Sequence, residues 1–266
     1  MTDRGLDAEG FIAREGSLSR VPAEFGPVVE AARERIAASF DGARLHSAYL
    51  YGSIPRGTAT PGVSDLDLLL ALHHEPTPAD REAADALEAA LDAGFGQVNG
   101  VGALLFGTGT LLSELERHDL GWFLACLCTP LLGPDLAAGL PRYRPTSLLA
   151  RETNGDLALA LPDWRARLAE PGTDLHTLNR AVSRRLVRTA LTLVMPRWGG
   201  WTSDLAASAE VFASYYPDRA DQARLAAAAT RAADPDRAVL TVLVEDFGPW
   251  LASEYLAVHG EKAPRP

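Results

Sequence analysis

The 266-residue sequence has little of several residue types, and each scarcity excludes a class of protein. Its two cysteines, Cys126 and Cys128, stand two positions apart in an apolar stretch. A disulfide between them would be strained, and two thiols do not make a metal site, so we interpret both as small buried side chains. No apolar run approaches the roughly eighteen residues of a transmembrane helix. The polar, acidic start is unlike a signal peptide, so we expect a cytoplasmic protein without membrane partners.

Positive charge is also scarce. The chain has 25 basic and 35 acidic residues, a formal net charge of −10, and a single lysine, Lys262. Proteins that bind nucleic acid through its phosphates usually carry a basic excess, so this balance argues against a nucleic-acid partner. An acidic surface instead favours a cationic small molecule through long-range attraction.

Residues 47–72 contain several polar residues of types that commonly bind metals and phosphate, among them two aspartates. The run consists of an apolar strand, the turn Gly52-Ser53, an eleven-residue polar loop, and a second apolar strand that carries Asp65 and Asp67. Residues two apart on a strand point to the same face, so the two carboxylates project together. Because like charges repel, this arrangement favours a divalent cation, and hard carboxylate oxygens suit Mg²⁺.

The turn before the aspartates has residues that suit phosphate. Gly52 allows close approach of the backbone, and the Ser53 hydroxyl with neighbouring N–H groups is able to contact anionic oxygens. Arg56 either contacts phosphate or lies in solvent. Ser64 either orients a nucleotide or caps the turn. The pattern as a whole predicts a phosphoryl-transfer site.

Strand and helix signals alternate through the first 145 residues and then become purely helical, which predicts an α/β part followed by a helical bundle. Residues 1–26 show no periodic pattern and are expected to be loosely ordered. The elements predicted after them are a helix from Pro27 to Phe40, strands at 45–51 and 66–72, a helix from Thr77 to Gly94, a strand at 98–106, a helix from Ser113 to Cys126, a short strand and turn at 129–135, and helical segments at 147–169, 174–195, 203–215, 218–233 and 236–258.

The run from Gly52-Ser53 to Asp65-Leu66-Asp67, placed between two apolar strands, resembles the signature of the nucleotidyltransferase superfamily, which has the DNA polymerase β-like fold. The small aminoglycoside-type members with a helical C-terminal half are the most similar. The resemblance implies an α/β N-terminal domain with a small mixed sheet at 1–145 and an all-α bundle at 146–266. It also implies Mg²⁺-dependent transfer of a nucleoside monophosphate, AMP from ATP, to a hydroxyl of a small molecule, with an aminoglycoside as one candidate acceptor.

Within that resemblance, Asp65 and Asp67 would hold Mg²⁺, and Gly52, Ser53, Arg56 and Ser64 would contact the nucleotide phosphates. A stripe of arginines on the 174–195 helix, spaced four residues apart, is either a solvated face or a partner of the triphosphate. Because basic residues of the helical half reach the nucleotide in aminoglycoside-type members, Arg184 and Arg188 are candidates for that role.

One expected feature of the family is missing. Active members usually place a third carboxylate on a neighbouring strand, but the predicted strand at 98–106 has no acid, and Asn99 is its only polar residue. The general base then comes from elsewhere, with Glu114, Glu152 and Asp204 as candidates, or the transfer needs no dedicated base. A third alternative is a non-catalytic nucleotide-binding or antitoxin-type protein that retains the fold.

Overall fold

A computed structural model describes residues 4–232 and 235–265, which form two compact units. One unit comprises Ala13–Tyr143, and the other comprises the described residues up to Ile12 together with those from Arg144 onward. The first unit contains a mixed sheet with helices, and the second is helical, which confirms the predicted fold class. The predicted division into a nucleotidyltransferase-like domain and a helical domain at residue 145 stays a prediction.

The described residues of the first unit form one four-stranded sheet in the order β3-β2-β1-β4. Strand β1 is antiparallel to both β2 and β4, and β2 is parallel to β3. The bounds are β1 Leu45–Tyr51, β2 Leu66–Leu72, β3 Val101–Gly107 and β4 Thr129–Leu132. The helices of this unit are α1 Gly26–Ser39, α2 Ser53–Arg56, α3 Pro78–Gly94, α4 Thr108–Leu111 and α5 Leu120–Trp122, and a π-helical turn at Phe123–Leu127 continues α5.

Alternation along β2 separates a core face from a face that carries the acids. Leu66, Leu68 and Leu70 are fully buried in the cluster that also contains the apolar side chains of α1 and α3. Leu69 faces the opposite side, in a second cluster with Tyr49. Because side chains two positions apart share a face, Asp67 lies on the side of Leu69, at the end where the strand begins.

The outer edge of β3 is closed by two side chains of α3. Arg81 Nη1 donates to the carbonyl oxygen of Ala103 at 2.8 Å, and the Ala103 N–H donates to Glu88 Oε1 at 2.9 Å. Unpaired groups on an edge strand would otherwise be available for pairing with another chain. The two contacts also fix the position of β3 beside β2, which matters for the site described below.

The second unit is built from helices in its described part, and none of the described helices is both long and apolar enough to span a bilayer. Buried polar groups cross its core, where Tyr255 donates to Thr192 Oγ1 at 3.0 Å and Asn154 Nδ2 donates to the same oxygen at 3.1 Å. The bounds are α6 Ser147–Asn154, α7 Leu157–Ala169, α8 Leu175–Trp198, α9 Leu205–Tyr215, α10 Ala220–Ala229, α11 Arg237–Val242, a π-helical turn at Leu243–Phe247, and α12 Gly248–His259.

Several element predictions were wrong in their bounds. The helix predicted from Ser113 to Cys126 begins only at Leu120, because residues before it form local turns in which the N–H groups of Asp119 and Gly121 both donate to the Glu116 carbonyl. The segment predicted as one helix at 147–169 is two helices. The helix predicted at 218–233 ends at Ala229, and its predicted last residue, 233, lies outside the described residues.

The expectation of a loosely ordered start was also wrong for the described residues from 13 to 25. Arg14 Nη1 pairs with Asp135 at 2.8 Å, and its Nε donates to the Ala125 carbonyl at 3.0 Å. Phe25 is fully buried against α1. Long-range contacts of this kind leave no periodic signal in a sequence. The predictions for residues 1–3 lie outside the described residues.

Asp80 gives the fold a defined acid sensitivity. Its side chain is 1% exposed, accepts from the Thr77 N–H at 2.8 Å in a capping box, and accepts from Arg44 Nε at 3.0 Å. Burial opposes ionisation, but the hydrogen bonds from Thr77 and Arg44 outweigh it and lower the pKa of Asp80 from 3.8 to about 2. Because the folded pKa lies below the unfolded value, the stabilisation is complete above about pH 4 and is lost as the pH falls toward 2.

We therefore expect Asp80→Asn to lower the free energy of unfolding by about 2 kcal/mol at pH 7. Urea unfolding at pH 7 and at pH 2.5 checks this, because the difference from wild type should shrink at the lower pH. Asp85→Asn is the control, since Asp85 is on the same helix and its side chain is 63% exposed. An equal loss in both variants at both pH values would contradict the assignment.

Candidate functional site

The site begins where β1 ends and β2 starts, because the antiparallel register places Tyr51 opposite Asp67. The next residue, Gly52, has φ +83 and ψ −155, a conformation that is essentially restricted to glycine. A methyl group added at Gly52 would lie 2.2 Å from Asp67 Oδ2. The carboxylate therefore rests directly against the backbone of the turn, so the two ends of the sequence motif meet in space.

Asp65 lies just before β2 and is partly exposed, as Asp67 is. Its Oδ1 lies 3.8 Å from the position that a Cβ on Gly100 would take, so the loop leading into β3 passes close to this carboxylate. The Leu66 N–H donates to the Gly100 carbonyl at 2.8 Å, which fixes that loop against the start of β2. Both aspartates thus have positions set by neighbouring strands rather than by a free loop.

The turn after Gly52 is a single helical turn, α2, whose first residue is Ser53. The Ser53 carbonyl oxygen accepts a hydrogen bond from the Thr58 N–H at 3.1 Å, which closes the turn. Arg56 is the last residue of α2 and lies 3.6 Å from Glu15 in an ion pair. Gly52, Ser53 and Arg56 are therefore held on one rigid turn.

Ser64 has a turn contact of its own. Its hydroxyl accepts a hydrogen bond from the Thr60 N–H at 2.9 Å, and its carbonyl accepts from the Asn99 N–H at 3.0 Å. These contacts support the interpretation of Ser64 as the residue that closes the loop before Asp65. Asn99 lies before β3, not within it, so the predicted strand began too early.

The position beside Asp67 on the neighbouring strand is occupied by glycine. In the parallel pairing of β2 with β3, Asp67 is opposite Gly102. Paired residues in a sheet direct their side chains to the same face, so a side chain at residue 102 would lie next to Asp67. No atom lies within 4 Å of a Cβ built at Gly102, so the space is open. The missing third carboxylate of the sequence pattern thus corresponds to a defined, empty position in the fold.

The donor set at this edge of the sheet fits Mg²⁺. Asp65 and Asp67 provide hard carboxylate oxygens, and among the described residues no group of three or more His, Cys, Asp or Glu side chains converges as a metal cage. Mg²⁺ commonly binds one or two protein carboxylates and keeps its other positions for water and substrate phosphate. Two aspartates beside a glycine turn are a suitable set for that mode of binding.

Two of the predicted base candidates have structural partners close by. Glu114 is 81% exposed and forms an ion pair with Arg117. Asp204 caps α9, where its Oδ1 accepts from the Ala207 N–H at 2.7 Å. Both residues remain candidates for the general base.

Glu152 is a poor proton acceptor on physical grounds. It is 6% exposed and accepts from Arg151 Nε at 2.8 Å and from Arg265 Nη1 at 3.2 Å. Burial opposes its ionisation, but the hydrogen bonds from the two guanidinium groups outweigh burial and lower the pKa of the Glu152 carboxyl. A carboxylate stabilised in this way binds a proton weakly, and its contacts are those of a structural ion pair in the second unit.

Arg184 and Arg188 lie on α8, where Arg184 is partly buried and Arg188 is exposed. Arg185, the residue after Arg184, forms an ion pair with Asp156. The phosphate role of Arg184 and Arg188 stays a prediction, as do the roles of the residues around Gly52.

Sequence reasoning missed two positions. Gly102 was visible only as one glycine in a glycine-rich strand, since its significance depends on strand register. Glu15 lies in the segment that was expected to be loosely ordered, and no local pattern points to it. Both are recognised only when residues far apart in the sequence are brought together.

Two comparisons with known proteins show what the chain is similar to. Residues 33–96 match the family model described as a nucleotidyltransferase domain. The matched range begins within α1, includes β1, α2, β2 and α3, and ends before β3. No curated protein matches the sequence. Residues 33–96 are therefore similar to a nucleotidyltransferase domain, and the resemblance to this superfamily that the sequence indicated is confirmed.

The fold is similar to that of a solved structure, spectinomycin adenyltransferase AAD(9) from Enterococcus faecialis with ATP and spectinomycin. The two chains share 13% sequence identity, with a TM-score of 0.52 over 86% of this chain and 98% of that one. At this identity the likeness concerns the fold.

Proposed function

We propose that this protein is a Mg²⁺-dependent nucleotidyltransferase that moves AMP from ATP to a hydroxyl group of a small molecule. The observation that carries the proposal is the approach of Asp67 to the Gly52 turn, since it joins a carboxylate pair to a backbone suited to phosphate. The nucleotidyltransferase domain that covers these residues supports the reaction class. The acceptor class rests on the fold likeness and on the acidic balance of the chain.

Each group at the turn has a definite task in this reaction. Asp65 and Asp67 would hold Mg²⁺, which when bound supplies charge neutralisation at the triphosphate. Gly52 and Ser53 would contact the terminal phosphates, and Arg56 would add a positive charge to the same turn. The acceptor oxygen forms a bond to the α-phosphorus, the bond between that phosphorus and the β-bridging oxygen breaks, and pyrophosphate leaves. The hydroxyl proton passes to a base or to water.

The direct test is release of pyrophosphate from ATP and Mg²⁺ in the presence of candidate acceptors. The panel contains spectinomycin, other aminocyclitols and aminoglycosides, and neutral polyols matched in size. Pyrophosphate that depends on both acceptor and Mg²⁺, with an adenylylated product of the expected mass, is the expected result. Pyrophosphate from ATP alone would indicate hydrolysis, and its absence with every acceptor would contradict the proposal for those substrates.

A second candidate function, nucleotide binding without transfer, is favoured by one observation. Gly102 occupies the position beside Asp67 where an active family member is expected to have an acid. A protein of this kind would bind ATP with Mg²⁺ and release no pyrophosphate with any acceptor. It would act through binding alone, as a nucleotide sensor or an antitoxin-type partner.

Introducing an acid at residue 102 distinguishes the two candidates. If the wild-type chain lacks only a base, Gly102→Glu is expected to raise acceptor-dependent pyrophosphate release by about 10²–10⁴-fold, the range of general-base catalysis. A Cβ at residue 102 would have no atom within 4 Å, so the backbone position itself accepts a side chain. Gly102→Gln is the matched control, because it has the same size without the charge. An equal effect of Glu and Gln would assign the change to shape and not to proton transfer.

A further inference from the structure

The segment that precedes α1 lies along the turn that carries the phosphate-binding candidates. The Glu15 N–H donates to the Cys126 carbonyl at 2.9 Å, and the Ser17 N–H donates to the Pro55 carbonyl, within α2, at 2.9 Å. These are backbone contacts, so they do not depend on the side chain at residue 15. They attach the segment to α2 on one side and to the π-helical turn on the other.

Two glycines show how close this approach is. A methyl group at Gly16 would lie 3.1 Å from Pro55 Cβ and 2.3 Å from Thr129 Oγ1. A methyl group at Gly57, which ends α2 with φ +77, would lie 2.8 Å from the Arg20 carbonyl oxygen. Any side chain at either position would separate the segment from the turn. The segment is therefore packed closely against α2 at Gly16 and against its end at Arg20.

The side chain of Glu15 is directed to Arg56. Glu15 Oε2 lies 3.6 Å from Arg56 Nη1, and the two side chains are 14% and 29% exposed. Arg20 Nη1 also donates to the Glu15 carbonyl oxygen at 2.7 Å, which fixes the backbone at that residue. A partly buried pair is screened less by salt than an exposed one, so the contact restricts the flexible Arg56 side chain effectively.

We propose that Glu15 is a positioning residue that orients Arg56 for the nucleotide phosphates. This inference rests on the proposed function, because it needs ATP at the Gly52 turn. An arginine that is already ordered loses less conformational freedom when phosphate binds, and immobilising such a side chain costs about 0.5–1.5 kcal/mol. Without Glu15, ordering of the Arg56 side chain would make the free energy of ATP binding less favourable by that amount. The catalytic step, which depends on the aspartates, is unaffected.

The test is titration of the full-length protein with ATP and Mg²⁺ by calorimetry. By the constant above, Glu15→Gln is expected to weaken ATP binding by about two- to twelve-fold. The change also removes a negative charge, which alone would favour ATP. Glu24→Gln is the control for this charge effect, because it removes the same charge from an exposed residue of the same segment. Glu24→Gln is expected to bind ATP as tightly as the wild type or slightly more tightly.

Action through Arg56 is tested by a double-mutant cycle. In an Arg56→Gln background, Glu15→Gln should have no further effect on ATP binding. Glu15→Asp, which keeps the charge and is expected to fold, should recover part of the affinity. The melting temperature without ATP distinguishes a positioning role from a purely structural one. Substitution of a purely structural residue would lower the melting temperature but leave the ATP affinity of the folded protein unchanged.

Each outcome decides the inference. Weaker binding in Glu15→Gln alone, lost in the Arg56→Gln background, supports it. If Glu15→Gln bound ATP as tightly as Glu24→Gln, or more tightly, the inference would be overturned, but the proposed function would still stand. No binding of ATP with Mg²⁺ by the wild-type protein would overturn the proposed function together with the inference.

Discussion

Asp67→Asn is expected to reduce acceptor-dependent pyrophosphate release by about a thousand-fold or more, since charge stabilisation by a bound metal is worth several kcal/mol. The substitution keeps the size of the side chain and replaces one carboxylate oxygen with an amide nitrogen. It therefore removes a metal-binding charge with little change in shape. Asp67 is the better choice of the two aspartates for this test, because its carboxylate lies against the Gly52 turn.

The fold should tolerate this substitution. Asp67 is partly exposed and asparagine has nearly the same shape, so we expect the variant to fold and to have a melting temperature without Mg²⁺ close to that of the wild type. Wild-type protein should be stabilised by ATP with Mg²⁺ through preferential binding to the folded state, and Asp67→Asn should lose that stabilisation. Asp92→Asn, at an exposed position on α3, is the control and should behave as wild type. Retention of full activity by Asp67→Asn would remove the carboxylate pair from the proposed site.

Gly52→Ala is expected to abolish binding of ATP with Mg²⁺ and to destabilise the protein by about 1–3 kcal/mol, the usual cost of forcing a side chain into such a backbone conformation. Two effects act together. The backbone angles of Gly52 are unfavourable for any L residue, and the added methyl group would lie 2.2 Å from Asp67 Oδ2. Relief of that contact requires movement of the turn, of the carboxylate, or of both.

The measurements are urea unfolding and ATP titration on the same preparations. Gly94→Ala is the matched control, because Gly94 ends α3 in helical conformation, and no atom lies within 4 Å of an added Cβ. That variant should be as stable as wild type, or slightly more stable, because alanine favours a helix. If Gly52→Ala were destabilised but bound ATP normally, the turn would be a structural feature and not a phosphate site.

The strand–turn–strand unit was predictable because its signals are local. Apolar runs bounded by polar turns predicted β1 and β2 with the bounds observed, and Thr77 with Pro78 predicted the start of α3, where a capping box forms. The prediction of a helix from Ser113 was wrong because the structure there does not depend on local signals alone. Its composition suits a helix, but competing turns around Glu116, which depend on the surrounding packing, take up the backbone donors there.

The same distinction separates the two halves of the candidate site. Asp65, Asp67, Gly52 and Ser53 lie within sixteen residues of one another, so spacing alone was enough to group them. Gly102 joins them only through the parallel pairing of β2 with β3, and Glu15 only through the packing of an irregular segment on α2. No periodicity or motif connects such positions, because their relation is a matter of register and long-range contact.

The Gly-Ser and Asp-x-Asp pattern between two apolar strands indicated the superfamily from sequence alone, and the alternation of strand and helix signals followed by purely helical segments predicted the fold class. The motif and the secondary-structure elements depend on local signals, such as turn residues, helix caps and the polarity of neighbouring residues, and these signals extend over only a few residues. The tertiary structure decided that the Asp67 carboxylate rests on the Gly52 backbone, that an open glycine position stands beside it, and that Glu15 reaches Arg56. These contacts form only when the strands pair in the sheet and the segment before α1 packs against α2. Each contact joins residues that are far apart in the sequence or related only through strand pairing, so no local pattern predicts it.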